Sequence, residues 1–298
     1  MVTFKKDWTP KFSSILRAGN EVREIKYNRL LASGSELDIP DLLSLNNAKV
    51  RSTTQYESLY RIVSAYGDLL LSWDDFLFLN VTGRNEWSST LPHGNNSFFY
   101  PSVSLSYVFS EHLTMPEWIN FGKLRVSYAG IGKDTDPYQT NSYYTSSVIT
   151  SSGQVTWTRD NSKGDDLLQP EKTSTIEAGV EMRFLKNRLG VDFSWYKLNS
   201  KDLIIPVSLS PTTGYTSYVL NAGEIENKGI ELVLTGVPVQ TKDFNWEATL
   251  NFTRNRNKVL SIREGLTEIV VGSHFGYSGA TVTMKYVPGD AVGNIYGS

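Results

Sequence analysis

Four stretches of the chain change polarity at every second residue. In the first, Ile176, Ala178, Val180, Met182 and Phe184 alternate with Glu177, Gly179, Glu181 and Arg183, the period of a pleated strand whose two faces have different surroundings. After Leu185-Lys186-Asn187 the pattern restarts, with Leu189, Val191, Phe193 and Trp195 set against Arg188, Gly190, Asp192 and Ser194. Three connecting residues suffice only for a tight hairpin. Ile230, Leu232 and Leu234 form a third run, and Trp246, Ala248, Leu250 and Phe252 a fourth, each interleaved with small or polar residues. An antiparallel sheet with one apolar face is expected.

Upstream, the same reading gives strands at residues 12–26, 58–73, 76–84, 98–110 and 121–132. That makes nine strands, with a tenth placed near residues 282–296. Their connections alternate in length. Asp74-Asp75, residues 185–187 and residues 240–243 are tight turns, whereas 28–57, 133–172 and 201–226 are long; within the first of these, 39–45 is expected to form one helical turn. Short turns at one end and long loops at the other are the habit of outer-membrane barrels. Trp73, Phe76, Phe184 and Trp246 lie beside short turns and Trp195 toward the other end of its strand, as two interfacial aromatic belts require.

The predicted fold is therefore all-β, an antiparallel up-and-down transmembrane β-barrel, here an open partial barrel of nine to ten strands forming one domain over residues 1–298. Ile176, Val180, Leu189, Val191, Phe193, Leu232 and Leu250 should face lipid on the convex side, and Glu177, Glu181, Asp192, Glu231 and Glu247 the concave lumen. A soluble sandwich also alternates, burying its apolar side against a second sheet. A soluble or surface carbohydrate-binding β-module is the alternative.

Composition narrows the class. Of 298 residues, 40% are hydrophobic, yet no run of about 18 apolar residues exists to make a transmembrane helix. The net charge of −2 offers no electrostatic footprint for nucleic acid. With no cysteine, disulfide scaffolds and thiolate metal sites are excluded. Met1 to Trp8 lacks the apolar stretch of a signal peptide, so the chain is expected to be an internal piece of a longer protein.

Motifs for chemistry are weak. Gly130-Ile131-Gly132-Lys133 lacks phosphate-loop spacing. Asp134-Thr135-Asp136 and Asp165-Asp166 do not continue into a calcium loop, and His93, His112 and His274 are dispersed. No catalytic, cofactor or metal site is expected, and no enzyme activity. The long loops differ. Trp87 on residues 85–96, Tyr138, Tyr143, Tyr144 and Trp157 on 133–172, and Tyr215 and Tyr218 on 201–226 stand among Ser, Thr, Asn and Gly. This composition suits a surface on which sugars or peptides stack, and these seven are the candidate substrate-binding residues.

Four separated segments carry a resemblance: Gly83-Arg84-Asn85-Glu86-Trp87-Ser88-Ser89-Thr90-Leu91-Pro92, Phe99-Tyr100-Pro101-Ser102-Val103-Ser104, Leu168-Gln169-Pro170-Glu171-Lys172-Thr173, and Asn221-Ala222-Gly223-Glu224-Ile225-Glu226-Asn227-Lys228-Gly229. In this order they resemble the barrel of the SusC/RagA family of TonB-dependent outer-membrane transporters of Bacteroidota. The resemblance implies a 22-stranded barrel in the outer membrane, a SusD-like surface lipoprotein over its mouth, and energy from the TonB complex through a plug. It also implies an oligosaccharide or oligopeptide substrate. The plug domain and the barrel's closing strands are then expected outside these residues.

Overall fold

A computed structural model describes residues 1–149, 154–277 and 280–297. In chain order the strands are β1 (Val2–Thr9), β2 (Phe12–Leu37), β3 (Ala48–Trp73), β4 (Leu77–Ser88), β5 (Ser97–Tyr107) and β6 (Ile119–Lys133), with a one-turn helix α1 (Phe109–His112) before β6. There follow β7 (Tyr144–Ile149), β8 (Gln154–Arg159), β9 (Ser162–Lys163), β10 (Glu171–Phe184), β11 (Leu189–Lys201), β12 (Ile204–Ser208) and β13 (Ser217–Asn221). The last are β14 (Gly223–Gln240), β15 (Asn245–Ile262), β16 (Ile269–Tyr277), β17 (Ala280–Tyr286) and β18 (Ile295–Gly297).

Ten of these strands form one antiparallel sheet in the order β1-β2-β3-β4-β5-β6-β10-β11-β14-β15. It is unclosed, with β1 and β15 as its two edges. The remaining strands belong to the loops, as the hairpin β7-β8, the sheet β12-β13-β9 and the sheet β16-β17-β18.

Register carries the apolar pattern across the whole sheet. Trp73, Leu77, Tyr107, Leu124, Val180, Phe193, Leu232 and Phe252 stand opposite one another from β3 to β15. One residue along, Ser106, Arg125, Gly179, Ser194, Glu231 and Thr253 form a polar row on the other face. A one-residue slip would exchange the two faces, so the pattern itself fixes the register.

Exposure runs opposite to a water-soluble sheet. On β6, Leu124, Val126 and Tyr128 are 45–49% exposed, while Lys123, Arg125 and Ser127 between them are half-buried. On β5, Val103 and Leu105 are exposed and Ser102, Ser104 and Ser106 are half-buried. On these two strands the polar face is the sheltered one, as the inside of a curved wall is, and the apolar face is open, as a lipid-contacting surface is; on β14 Glu231, Val233 and Thr235 are exposed and Leu232 and Leu234 half-buried. Register and alternation put Ile176, Val180, Leu189, Val191, Phe193, Leu232 and Leu250 on one face and Glu177, Glu181, Asp192, Glu231 and Glu247 on the other.

Among the described residues the hydrophobic core lies beneath the loops. Leu91, Phe98 and Leu168 make one cluster, with Tyr100 and Ile204 packed against it. Ile205, Val207, Leu220, Ala222 and Ile269 make another.

Several boundaries differ from expectation. Val2–Thr9 is the tenth strand of the wall; its Lys5-Lys6-Asp7 run hid the alternation. Residues 282–296, expected to supply that strand, instead fall in and around the separate β16-β17-β18 sheet. Residues 28–57, read as a polar connection, are mostly strand, because β2 and β3 continue as a two-stranded ribbon paired from Glu24–Arg61 to Leu37–Ala48. Neither face of that ribbon meets a core, so no period of two was imposed on residues such as Arg29-Leu30-Leu31-Ala32. At its tip the helical turn is three residues of 3-10 helix, Leu45–Asn47. Asn47 braces it, accepting from Ile39 N and donating to the carbonyls of Ile39 and Leu42.

The tight turns behave as read. Asp74 and Asp75 both take positive φ, the conformation of a two-residue hairpin turn that Asp tolerates. Leu185, Lys186 and Asn187 also have positive φ, which disfavours Leu and Lys by roughly 1–2 kcal/mol each. The Asn120 side chain offsets part of this by accepting hydrogen bonds from the backbone N–H groups of Lys186 and Asn187, at 2.6 and 3.2 Å.

Candidate functional site

The loops above the wall rest on a ledge built by the four segments singled out in the sequence. Leu91 from the first and Leu168 from the third pack together with Phe98 and Tyr100 from the start of β5. Leu168 is fully buried. From the fourth, Asn221 accepts a hydrogen bond from Gln169 N and donates to Gln169 O, both at 2.8 Å, and donates to Asp202 O at 2.6 Å. Glu171 accepts from Ile204 N at 2.9 Å. Asp134, leaving β6, accepts from the hydroxyls of Ser88 and Thr90. Buried polar groups thus join strand ends to loop bases, and each has a partner, as burial demands.

Six of the seven candidate aromatics stand on the loops above this ledge. Tyr138 and Tyr143 meet edge to face, their ring centroids 5.8 Å apart, and the Tyr138 hydroxyl accepts from Leu59 N. On the β7-β8 hairpin Tyr144 pairs with Arg159 and Ser146 with Trp157, so alternation puts these four on one face. Trp157 is 68% exposed. The Arg159 guanidinium lies 4.0 Å from the Tyr215 ring and donates to Gly214 O, which ties the hairpin to the loop before β13. Ser162 and Lys163 pair in parallel with Ser217 and Tyr218, and the Lys163 ammonium sits 4.6 Å from the Tyr218 ring. Burial, then the negative charge of Asp165, pushes the Tyr218 phenol above its usual pKa. It stays protonated and a hydrogen-bond donor.

Trp87 is placed elsewhere. β4 continues to Ser88, and Trp87 stands opposite Val63 and Ser97, on the same face as Val81. It belongs to the loop-side rim of the apolar face, where an aromatic interface belt runs, and it is not brought together with the other six.

Sequence reasoning missed Arg159 and Lys163, the cations seated on Tyr215 and Tyr218, and the ledge residues Asn221, Glu171 and Asp134. Asn221 and Glu171 were in view as parts of recognisable segments; only the fold shows that those segments meet.

The polar face also carries a cross-strand network. Arg125 reaches over Gly179 to Asp192 and Ser194, each at 2.6 Å. A Cβ at Gly179 would lie 2.7 Å from Arg125 Nε, so glycine there is what lets the guanidinium cross β10.

A sheet with an open apolar face, a polar inner face, short turns at one end and braced aromatic loops at the other defines the wall of a transmembrane β-barrel with a crown of loops. Residues 3–290 match the family described as TonB dependent receptor-like, beta-barrel, and the chain belongs to it. TonB-dependent receptor P26 of Formosa agariphila is 31% identical over 214 residues, covering 70% of this chain and 22% of that protein. TonB-dependent receptor SusC of Bacteroides thetaiotaomicron is 27% identical over 232 residues, covering 74% and 23%. The chain spans about a quarter of the length of the curated relatives it matches. Among solved structures, the RagAB peptide transporter superposes with a TM-score of 0.79 at 22% identity over 99% of this chain and 35% of that one. The resemblance to SusC/RagA barrels read from the sequence is borne out.

Proposed function

We propose that this chain is part of the wall and external crown of an outer-membrane importer of the SusC/RagA type. It takes up oligosaccharides or oligopeptides together with a SusD-like surface lipoprotein, and the TonB complex drives release through a plug domain elsewhere in the protein. The observation that carries this reading is the gathering of Tyr144, Trp157, Arg159 and Tyr215 on one braced loop surface. Flat rings beside a cation offer stacking faces and a charge-assisted donor, suited to sugar rings or to peptide carbonyls and carboxylates. Likeness in fold to the RagAB peptide transporter makes a peptide cargo worth testing beside a sugar.

The open apolar face favours the importer over a soluble carbohydrate-binding module, which would bury Leu124, Val126 and Ile176 rather than expose them. The test uses the full-length protein. Trp157→Ala with Tyr215→Ala should weaken binding of the imported oligomer roughly 5- to 100-fold, about 1–3 kcal/mol for two aromatic contacts at 0.5–1.5 kcal/mol each. Uptake by cells grown on that oligomer should fall with it. Unchanged uptake and affinity in the double variant would remove the crown from the function.

A further inference from the structure

A depression of about 480 Å³ opens at the loop-side end of β5, β6, β10 and β11. Register places it on the apolar face rather than on the polar one. Gly130 pairs with Ser174, which pairs with Asn199, and Gly132 pairs with Lys172, which pairs with Lys201. All six line it and share their face with Tyr128, Val126 and Leu124 below. The depression exists because the sheet parts, while the Phe98 ring and Pro101 close over Gly132 and Gly130. Two glycines form its floor, and the β5–β6 ladder stops at Ser102–Ala129, beside Pro101, which has no N–H to continue pairing.

Its chemistry is one-sided. Lys172 and Lys201 reach it and no Asp or Glu lines it. Their carboxylate partners, Asp202 and Glu224, sit at 3.6 and 3.3 Å, leaving both ammonium groups with free donors. Gln169, Asn95 and Ser174 add polar groups, and the carbonyl oxygen of the Asn199 amide is buried without a hydrogen-bond partner. Phe99 and Tyr128 wall it on the membrane side.

Two cations and hydroxyl-binding amides at the top of a lipid-facing apolar band match a ligand with phosphate above, sugar in the middle and acyl chains below. We propose that this depression binds the headgroup of a phosphorylated acyl-glycolipid of the outer leaflet, with Lys172 and Lys201 on its phosphate and its chains running down over Tyr128, Val126 and Leu124. The proposal rests on the outer-membrane barrel reading but not on import.

The test purifies the full-length protein in detergent and measures monophosphoryl lipid A retained, by native mass spectrometry. Phosphate-free lipid A and phosphatidylethanolamine serve as comparison lipids. The wild type should hold monophosphoryl lipid A in preference to both, and excess inorganic phosphate should not displace it. Lys172→Glu with Lys201→Glu should lower retention at least tenfold. Ser174→Trp, which fills the depression without changing charge, should do the same while keeping heat-modifiable gel mobility. Equal retention by folded variants, no preference for the phosphorylated lipid, or displacement by inorganic phosphate would overturn the site. Absence of sugar or peptide uptake by the wild type, with its lipid retention intact, would count against the import reading alone.

Discussion

The side chain of Asn221 holds the backbone of Gln169 through two hydrogen bonds of 2.8 Å, one given and one received. The two residues are 52 positions apart, so this pairing ties together two loop bases that meet only in the fold. Asn221→Ala should remove both hydrogen bonds of the Gln169 backbone, loosening residues 165–170 by roughly 0.5–1.5 kcal/mol per bond, since water reaches the exposed Gln169 groups. Asn221→Asp keeps the acceptor and loses the donor, so its effect should be smaller. Hydrogen exchange at Gln169 in the full-length protein measures both, and exchange unchanged in Asn221→Ala would show that the contact is incidental.

The two faces should respond oppositely to charge. Val126→Lys puts an ammonium on the open apolar face, at a cost of roughly 2–4 kcal/mol near mid-membrane, and should cut the yield of folded, heat-modifiable barrel. Ser127→Lys faces the polar side, where its neighbour across β10 is Glu177, and should fold like the parent. Equal folding of both variants in lipid vesicles would mean that the faces are reversed or that neither meets lipid.

Gly179 and Arg125 should be energetically coupled. Gly179→Ala intrudes on the Arg125 guanidinium and should weaken its hold on Asp192 and Ser194, by roughly 1–3 kcal/mol for a charge-assisted contact. With Arg125→Ala already in place, the same glycine change should be near neutral. A double-mutant cycle on denaturant stability with a coupling term below about 0.5 kcal/mol would mean that the two changes act independently.

The 298-residue chain produced alone should associate. Its β1 and β15 edges have unpaired backbone groups along one side each, and the row from Leu77 to Phe252 offers apolar surface to any neighbour, conditions under which sheets pair edge to edge. Light scattering after gel filtration should show large species without detergent and smaller ones with it. A monodisperse, detergent-free monomer would instead support the soluble binding module.

What the sequence disclosed follows the surroundings of each segment. Between residues 98 and 253 the wall touches two media at once, so every second residue is constrained, and strands, faces and turns could be read directly. The ribbon beyond Glu24–Arg61 has the same medium on both sides, and Leu30-Leu31 can sit together there without penalty; its strands were therefore invisible. The crown was legible in composition but not in arrangement. Tyr144, Trp157 and Tyr215 announced a surface through residue type, whereas the cations Arg159 and Lys163, which hold Tyr215 and Tyr218, depend on contacts across 55 or more positions. Trp87 was read as a loop residue, and only strand register shows that it stands on β4, opposite Val63 and Ser97.

The ledge divides the chain into parts that change for different reasons. Leu91, Leu168, Asn221 and Glu171 anchor loop bases to strand ends, while the rings of the crown stand beyond these anchors. The spans from Tyr138 to Ile149, from Gln154 to Lys163 and from Ile205 to Leu220 hang from these posts, so a substitution among their exposed residues leaves the anchors untouched. The four segments read first in the sequence are then mounting brackets, whose work is to hold the loops to the wall.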